Sequence, residues 1–241
     1  MTLNVTSTTP VETTAAGSLE ITGDTKVGEL AARHPQSTRV FARHNIDFCC
    51  GGGRPLSEAC AASDLDLETI VAELQEELSS NKDLRNWSKA PFGEIIDHIL
   101  AAYHAPLREE LPRLEAMARK VNEVHGAKEP ERLPALLSTL LALEAELTDH
   151  MMKEEQILFP MIRRGEGAFA GGPISVMEEE HESAGAALLK LRELTSDYTV
   201  PEEACTTWRA LWHGLESLES ELHDHIHLEN NILFPRALTE A

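Results

Sequence analysis

The stretch HMMKEEQILFP at residues 150–160 returns as HIHLENNILFP at residues 225–235. Both copies read HxxxExxILFP, 75 positions apart, and neither is low in complexity. Such self-similarity means that one supersecondary element has been used twice. Within each copy the histidine and the glutamate stand four residues apart, which places both on one face of a helix. The face continues upstream. Leu136, Leu140, Leu143, Leu147, His150, Glu154, Ile157 and Met161 alternate spacings of four and three, and so do Trp208, Leu211, Leu215, Leu218, Leu222, His225, Glu229 and Ile232. These inward stripes predict long helices over about 134–162 and 202–235.

Each copy is preceded by an isolated histidine, His104 by 46 residues and His181 by 44. Leu100, His104, Leu107 and Leu111 share a helix face, as do Met177, His181, Ala184 and Leu188. The expected architecture is all-α: an up-down-up-down four-helix bundle over 91–241, made of two hairpins related by a pseudo-twofold. With a rise of about 1.5 Å per residue, His104, His150 and His225 each stand roughly 18 Å above the base of the bundle, and His181 roughly 10 Å. Six polar side chains should therefore meet near its middle.

Two carboxylates set mid-stripe among Leu, Ile and Trp are costly to bury without a partner, and the nearest basic residue in sequence, Lys153, falls off the stripe. A cation must compensate them. Six ligands are too many for one tetrahedral zinc, and imidazole is the wrong donor for calcium. Two metals fit better. Imidazoles and bridging carboxylates in a bundle core suit a pair of non-haem iron ions, with Glu154 and Glu229 as bridges and two histidines on each ion; manganese or a mixed pair suits the same donors. An oxo bridge, solvent, dioxygen or nitric oxide can take the positions left over. Glu146, one turn before His150, and Glu180, beside His181, are candidate acceptors for a ligand imidazole. His98, His125, His213, His223 and His227 read as surface or packing residues. Pro106 and Pro112 interrupt the first helix, either kinking it near His104 or breaking it.

The charge balance excludes other classes of partner. Among 241 residues, 21 Lys and Arg face 41 Asp and Glu, a net charge of −20, which argues against nucleic acid and anionic membranes. The longest nearly apolar run, Leu133 to Leu143, falls short of the roughly 18 residues a membrane helix needs. Residues 1–18 lack the features of a signal or transit peptide and read as a disordered leader of a cytoplasmic chain. Four cysteines without a CxxC pair fit a reducing compartment. The sequence is compatible with a homodimer.

Residues 19–80 read as a separate small helical unit, with helical patterns over about 27–32 and 36–44 and a last helix capped by Asp66 between the staple residues Leu65 and Ile70. Residues 81–90 read as a linker. Cys49 and Cys50 precede three glycines in a turn. They read either as small hydrophobes at a helix end or as an exposed thiol pair able to engage iron. Cys60 and Cys205 lie in helical patterns and are expected in the core.

The second unit resembles the haemerythrin-like domain. The whole chain from about Gly23 resembles the iron-sulfur cluster repair di-iron proteins of the YtfE and ScdA type. The likeness rests on VGEL at 27–30, Phe41 and IDFCCGG at 46–52 in the first unit, and on residues 150–160, GPISVME at 172–178 and residues 224–235 in the second. It implies His104, His150, Glu154, His181, His225 and Glu229 as iron ligands. It also implies a cytoplasmic stress-response protein that restores iron-sulfur clusters damaged by nitric oxide or oxidants, by donating iron to the damaged proteins. The Cys49-Cys50 unit would dock near the bundle or the client. HxxxE in the second copy, where haemerythrins carry HxxxxD, argues against reversible oxygen carriage. Two rivals fit the same residues: an enzyme reducing nitric oxide at the di-iron centre, and a module that binds or senses dioxygen, nitric oxide or iron.

Overall fold

The computed structural model of the chain describes residues 21–79 and 85–240. The expected leader and residues 81–84 of the expected linker lie outside the described residues. Among the described residues there is no strand, only an isolated bridge between Lys26 and Pro55. Four short helices come first: α1 (Val27–Arg33), α2 (Ser37–Arg43), α3 (Leu56–Ala62) and α4 (Leu67–Ser79). The last is capped as its sequence predicts, with Thr69 N donating to Asp66 Oδ2 at 2.9 Å. Val27, Leu30, Phe41, Leu56, Ile70 and Leu74 give these helices a core of their own.

Four long helices follow. α5 starts as Phe92–Ile99, passes through a π turn at Leu100–His104 and continues as Ala105–His125. α6 runs Arg132–Lys153, then a π turn at Glu154–Leu158, then Phe159–Arg163. α7 is Gly171–Leu194, and α8 runs Thr206–Leu228, a π turn at Glu229–Leu233, then Phe234–Glu240. Each packs on the next, and α8 closes the bundle against α5. One apolar cluster, including Leu111, Leu140, Leu188, Trp208 and Trp212, fills one end of the bundle; another, including Ile95, Ile99, Phe159, Ile174 and Phe234, fills the other. The six inward polar residues lie between the two.

The π turns have a common cause. Proline has no N–H, and its ring collides with the carbonyl four residues earlier. In all three cases the residue just before a proline closes the wider loop: Ala105 N donates to Leu100 O before Pro106, Phe159 N to Glu154 O before Pro160, and Phe234 N to Glu229 O before Pro235. Pro106 therefore widens its helix without breaking it, and Pro112 lies inside the continuous Ala105–His125 segment. The extra residue also shifts the inward stripe. Past Glu154 the buried positions are Leu158, Phe159 and Ile162, while Ile157 is 53% exposed and Met161 half-buried, contrary to the unbroken spacing read from sequence.

Three further expectations are corrected. α7 begins at Gly171, ten residues before His181, which lifts that side chain to roughly 15 Å and narrows its apparent offset. α8 begins at Thr206, four residues later than the stripe suggested. Cys205 is accordingly an exposed residue in extended conformation just ahead of that helix, not a core residue, with its Sγ 3.4 Å from His125 Nε2. Cys60 is buried as expected.

The small helices dock on the bundle through the Cys49-Cys50 turn. The Asp47 carboxylate accepts from the backbone N–H groups of Cys49, Cys50 and Gly51 at 2.8–3.0 Å, which shapes the turn. Asn231 of α8 donates to the carbonyls of Phe48 and Cys49, both at 3.2 Å. The Phe48 ring packs edge-on against His223 and His227, which gives those two histidines their packing role. Gly28 and Gly52 make the approach close enough: a Cβ on Gly28 would run into Asn231 Oδ1 and meet Gly52 Cα at 3.0 Å. Gly28→Ala should therefore push Asn231 off both carbonyls at a cost of about 1–3 kcal/mol. Hydrogen exchange checks this, with faster exchange expected in α1 and the Cys49–Gly53 turn and none of that change within α6 and α7.

Candidate metal centre

His104, His150, Glu154, His181, His225 and Glu229 converge between the two apolar clusters, none more than 3% exposed. Their donor atoms form two groups: His104, His225, Glu154 and Glu229 in one, His150, His181, Glu154 and Glu229 in the other. Both carboxylates belong to both groups. Glu154 Oε2 lies 3.3 Å from His104 Nε2 and 3.4 Å from His150 Nε2. Glu229 reaches His225 Nε2 through Oε1 at 3.0 Å and His181 Nε2 through Oε2 at 3.2 Å. Each glutamate thus touches one histidine of each group, as a bridging ligand must.

The donor set fits a pair of cations. Both oxygens of Glu154, Oε2 of Glu229 and Nε2 of His104 are buried and have no hydrogen-bond partner among the described residues. His150 and His181 point their Nε2 atoms at each other across 3.1 Å. Lys153, the nearest basic side chain in sequence, turns outward to Asp149 and Glu180. Burial and the charge of Glu229 push the Glu154 carboxyl well above its ordinary value. Burial works the same way on Glu229, but His225 and His181 outweigh it and hold that group low. Positive charge placed between the two would favour the ionised form of both. Burial and neighbouring His181 bring His150 down to about 4, so its imidazole is neutral and able to donate electrons. Burial opposes protonation of His181 as well, but Glu229 and Asn230 prevail and raise it.

The outward nitrogens are held differently. His150 Nδ1 donates to Glu180 Oε2 at 2.9 Å, the contact the sequence suggested. His104 Nδ1 donates to Glu155 Oε1 at 2.8 Å, and His181 Nδ1 to Asn230 Oδ1 at 2.8 Å. These bonds put the proton on Nδ1 and aim the Nε2 lone pair inward. Glu155 and Asn230 were missed in the sequence, although the repeat marks them: each directly follows the glutamate of its copy. Glu146 does not play the expected part. It is exposed and accepts from Ser183 Oγ at 3.0 Å, away from any imidazole. His225 Nδ1 has no hydrogen-bond partner among the described residues, and the Tyr103 ring stacks on His225 with centroids 5.0 Å apart and planes at 9°. Burial and the nearby acids Asp224, Glu229 and Glu221 push the Tyr103 phenol up to about 12, so it remains protonated.

The Cys49-Cys50 turn covers one side of this region. Cys50 Sγ lies 3.5 Å from the backbone oxygen of His181, and a cavity of about 430 Å³ opens beside it, lined by Cys49, Cys50, Glu178, Glu182 and Asn230 among others. The thiols are not the exposed pair that one reading of the sequence offered: Cys49 is buried and Cys50 half-buried. Contact with Cys50, burial and the Asp47 carboxylate push the Cys49 thiol well above its ordinary value, so it is not a thiolate here.

Comparison with known proteins agrees with this geometry. Residues 95–237 match the Hemerythrin HHE cation binding domain, and residues 23–78 match a Domain of Unknown function (DUF542, ScdA_N). Relatives from Shigella boydii serotype 4 and Escherichia coli O157:H7, both named iron-sulfur cluster repair protein YtfE, are each 49% identical over 215 residues, covering 89% of this chain and 97% of theirs. The chain belongs to the YtfE family. Its bundle is the haemerythrin-type, cation-binding part of that family's architecture, and its small N-terminal helices are the ScdA_N part. No helix among the described residues is long and apolar enough to cross a membrane.

If the buried acids exist to hold cations, Glu154→Leu should have opposite effects with and without metal. The metal-free protein should gain about 1–4 kcal/mol, because an unpaired buried carboxyl gives way to an apolar group of similar size. It should also lose the rise in melting temperature that ferrous iron produces in the unsubstituted chain. Paired thermal melts, with and without iron, read both effects.

Proposed function

We propose that this chain repairs iron-sulfur clusters damaged by oxidative or nitrosative stress, and does so by donating iron. Two iron ions would be held by His104, His150, Glu154, His181, His225 and Glu229, with both carboxylates bridging. The observation that carries the reading is the sharing of each glutamate between the two histidine pairs. The name of its relatives, which match along most of both chains, supports the repair assignment. When bound, the ions supply a small-molecule binding and redox site as well as the iron to be delivered.

The protein's own part is positioning and shelter. Glu155, Glu180 and Asn230 orient three imidazoles, and the buried rings of Phe159 and Phe234 stack on His104 and His181. Residues 19–80 act as a unit whose Cys49-Cys50 turn lies over the α7 side of the centre, where Cys50 and the Glu178 and Glu182 carboxylates offer departing iron soft and hard donors in turn. Damaged iron-sulfur proteins of the cytoplasm are the partners in this reading, and nitric oxide and dioxygen the small ligands.

The test supplies iron-loaded protein to a nitrosylated iron-sulfur dehydratase and follows its activity. Recovery should exceed that given by an equal amount of free ferrous iron; equal recovery would count against donation. Cys49→Ala with Cys50→Ala should keep the iron content and slow repair at least about tenfold. Unchanged repair would return the two thiols to a packing role.

A further inference from the structure

The repeat that builds the centre is symmetric in the residues facing inward and asymmetric in those gripping them from outside. Tyr103 and Glu180 occupy equivalent places, each immediately before the isolated histidine of its hairpin. Each also lies against the repeat histidine of the neighbouring helix. Glu180 accepts from His150 Nδ1, but Tyr103 only stacks on His225 and leaves its buried Nδ1 without a partner among the described residues. The second equivalent pair, Glu155 and Asn230, grips His104 and His181 in turn. One position of the pair, between His150 and His181, therefore has both imidazoles anchored. The other, between His104 and His225, has one.

We propose that the position between His104 and His225 is the labile one, and that Tyr103 is the positioning residue that makes it so. An acceptor on the outer nitrogen fixes the ring and strengthens it as a donor, and losing one typically weakens metal binding by 10- to 100-fold. His225 lacks that support, so its ion leaves first and is the one delivered, while its partner stays and keeps the carboxylates compensated. The inference rests on the paired-iron reading above and deepens it by naming which ion is cargo.

Iron loss from the full chain to excess bipyridine, followed by absorbance under anaerobic conditions, tests this without any activity assay. Two phases of one ion each are expected, the first at least about tenfold faster than the second. Tyr103→Gln, which gives His225 Nδ1 an acceptor as Asn230 gives His181, should slow the first phase towards the second. Glu180→Tyr, which copies the weak arrangement onto His150, should speed the second. If Tyr103→Gln fails to fold, judged by helix content, Glu180→Tyr decides alone. A single phase for both ions, or phases that neither Tyr103→Gln nor Glu180→Tyr moves, would overturn the inference. Fewer than two ions per chain at the start would instead overturn the paired reading on which it stands.

Discussion

Two glutamates in the middle of an apolar bundle govern the rest of this structure. Glu154 and Glu229 are fully buried and adjacent, and among the described residues neither pairs with a lysine or arginine head group. Burial and mutual repulsion disfavour a second negative charge, and a positive charge placed between them lets both carboxylates ionise. Of the four imidazoles around the acids, His225 and His181 hold Glu229 low while Glu154 stays high, and all four complete two sets of cation donors. The apolar clusters at either end of the bundle then act as insulation: they fix the helices that carry the donors and keep the dielectric low where the charges meet.

The chain reaches this arrangement by duplicating a short motif and bending it in the same way each time. Pro160 and Pro235 each force a π turn that starts at the buried glutamate of its copy, and Pro106 forces one that ends at His104. The helices are thereby widened where a donor must enter the core. Duplication also explains the supports. The residue after each glutamate holds the histidine of a neighbouring hairpin arm, as Glu155 does for His104 and Asn230 for His181. The copies have diverged at that outer layer while the inward residues kept their identity.

Much of the fold was legible because helical spacing is robust. The alternation of fours and threes found all four bundle helices and put the six polar side chains on their inner faces. The π turns were not legible from spacing, so Ile157 was counted inward when the added residue turns it to solvent and Leu158 replaces it. Distance along a helix does not say which neighbouring helix stands opposite Glu146, and Ser183 is the residue there. The Cys49-Cys50 turn was visible as a turn, but its burial depends on Asn231 fitting against Gly28 and Gly52, a contact across some 180 residues that no local pattern encodes. Cys205 sits at a helix boundary, where the apolar stripe gives least information.

The central claim is that the acidic interior is tolerable because two linked cations occupy it. Iron analysis combined with Mössbauer spectroscopy on anaerobically purified, iron-replete protein measures this most directly. Two irons per chain with the signature of a coupled pair are expected. Iron-free protein with the native fold and unchanged stability would contradict the account.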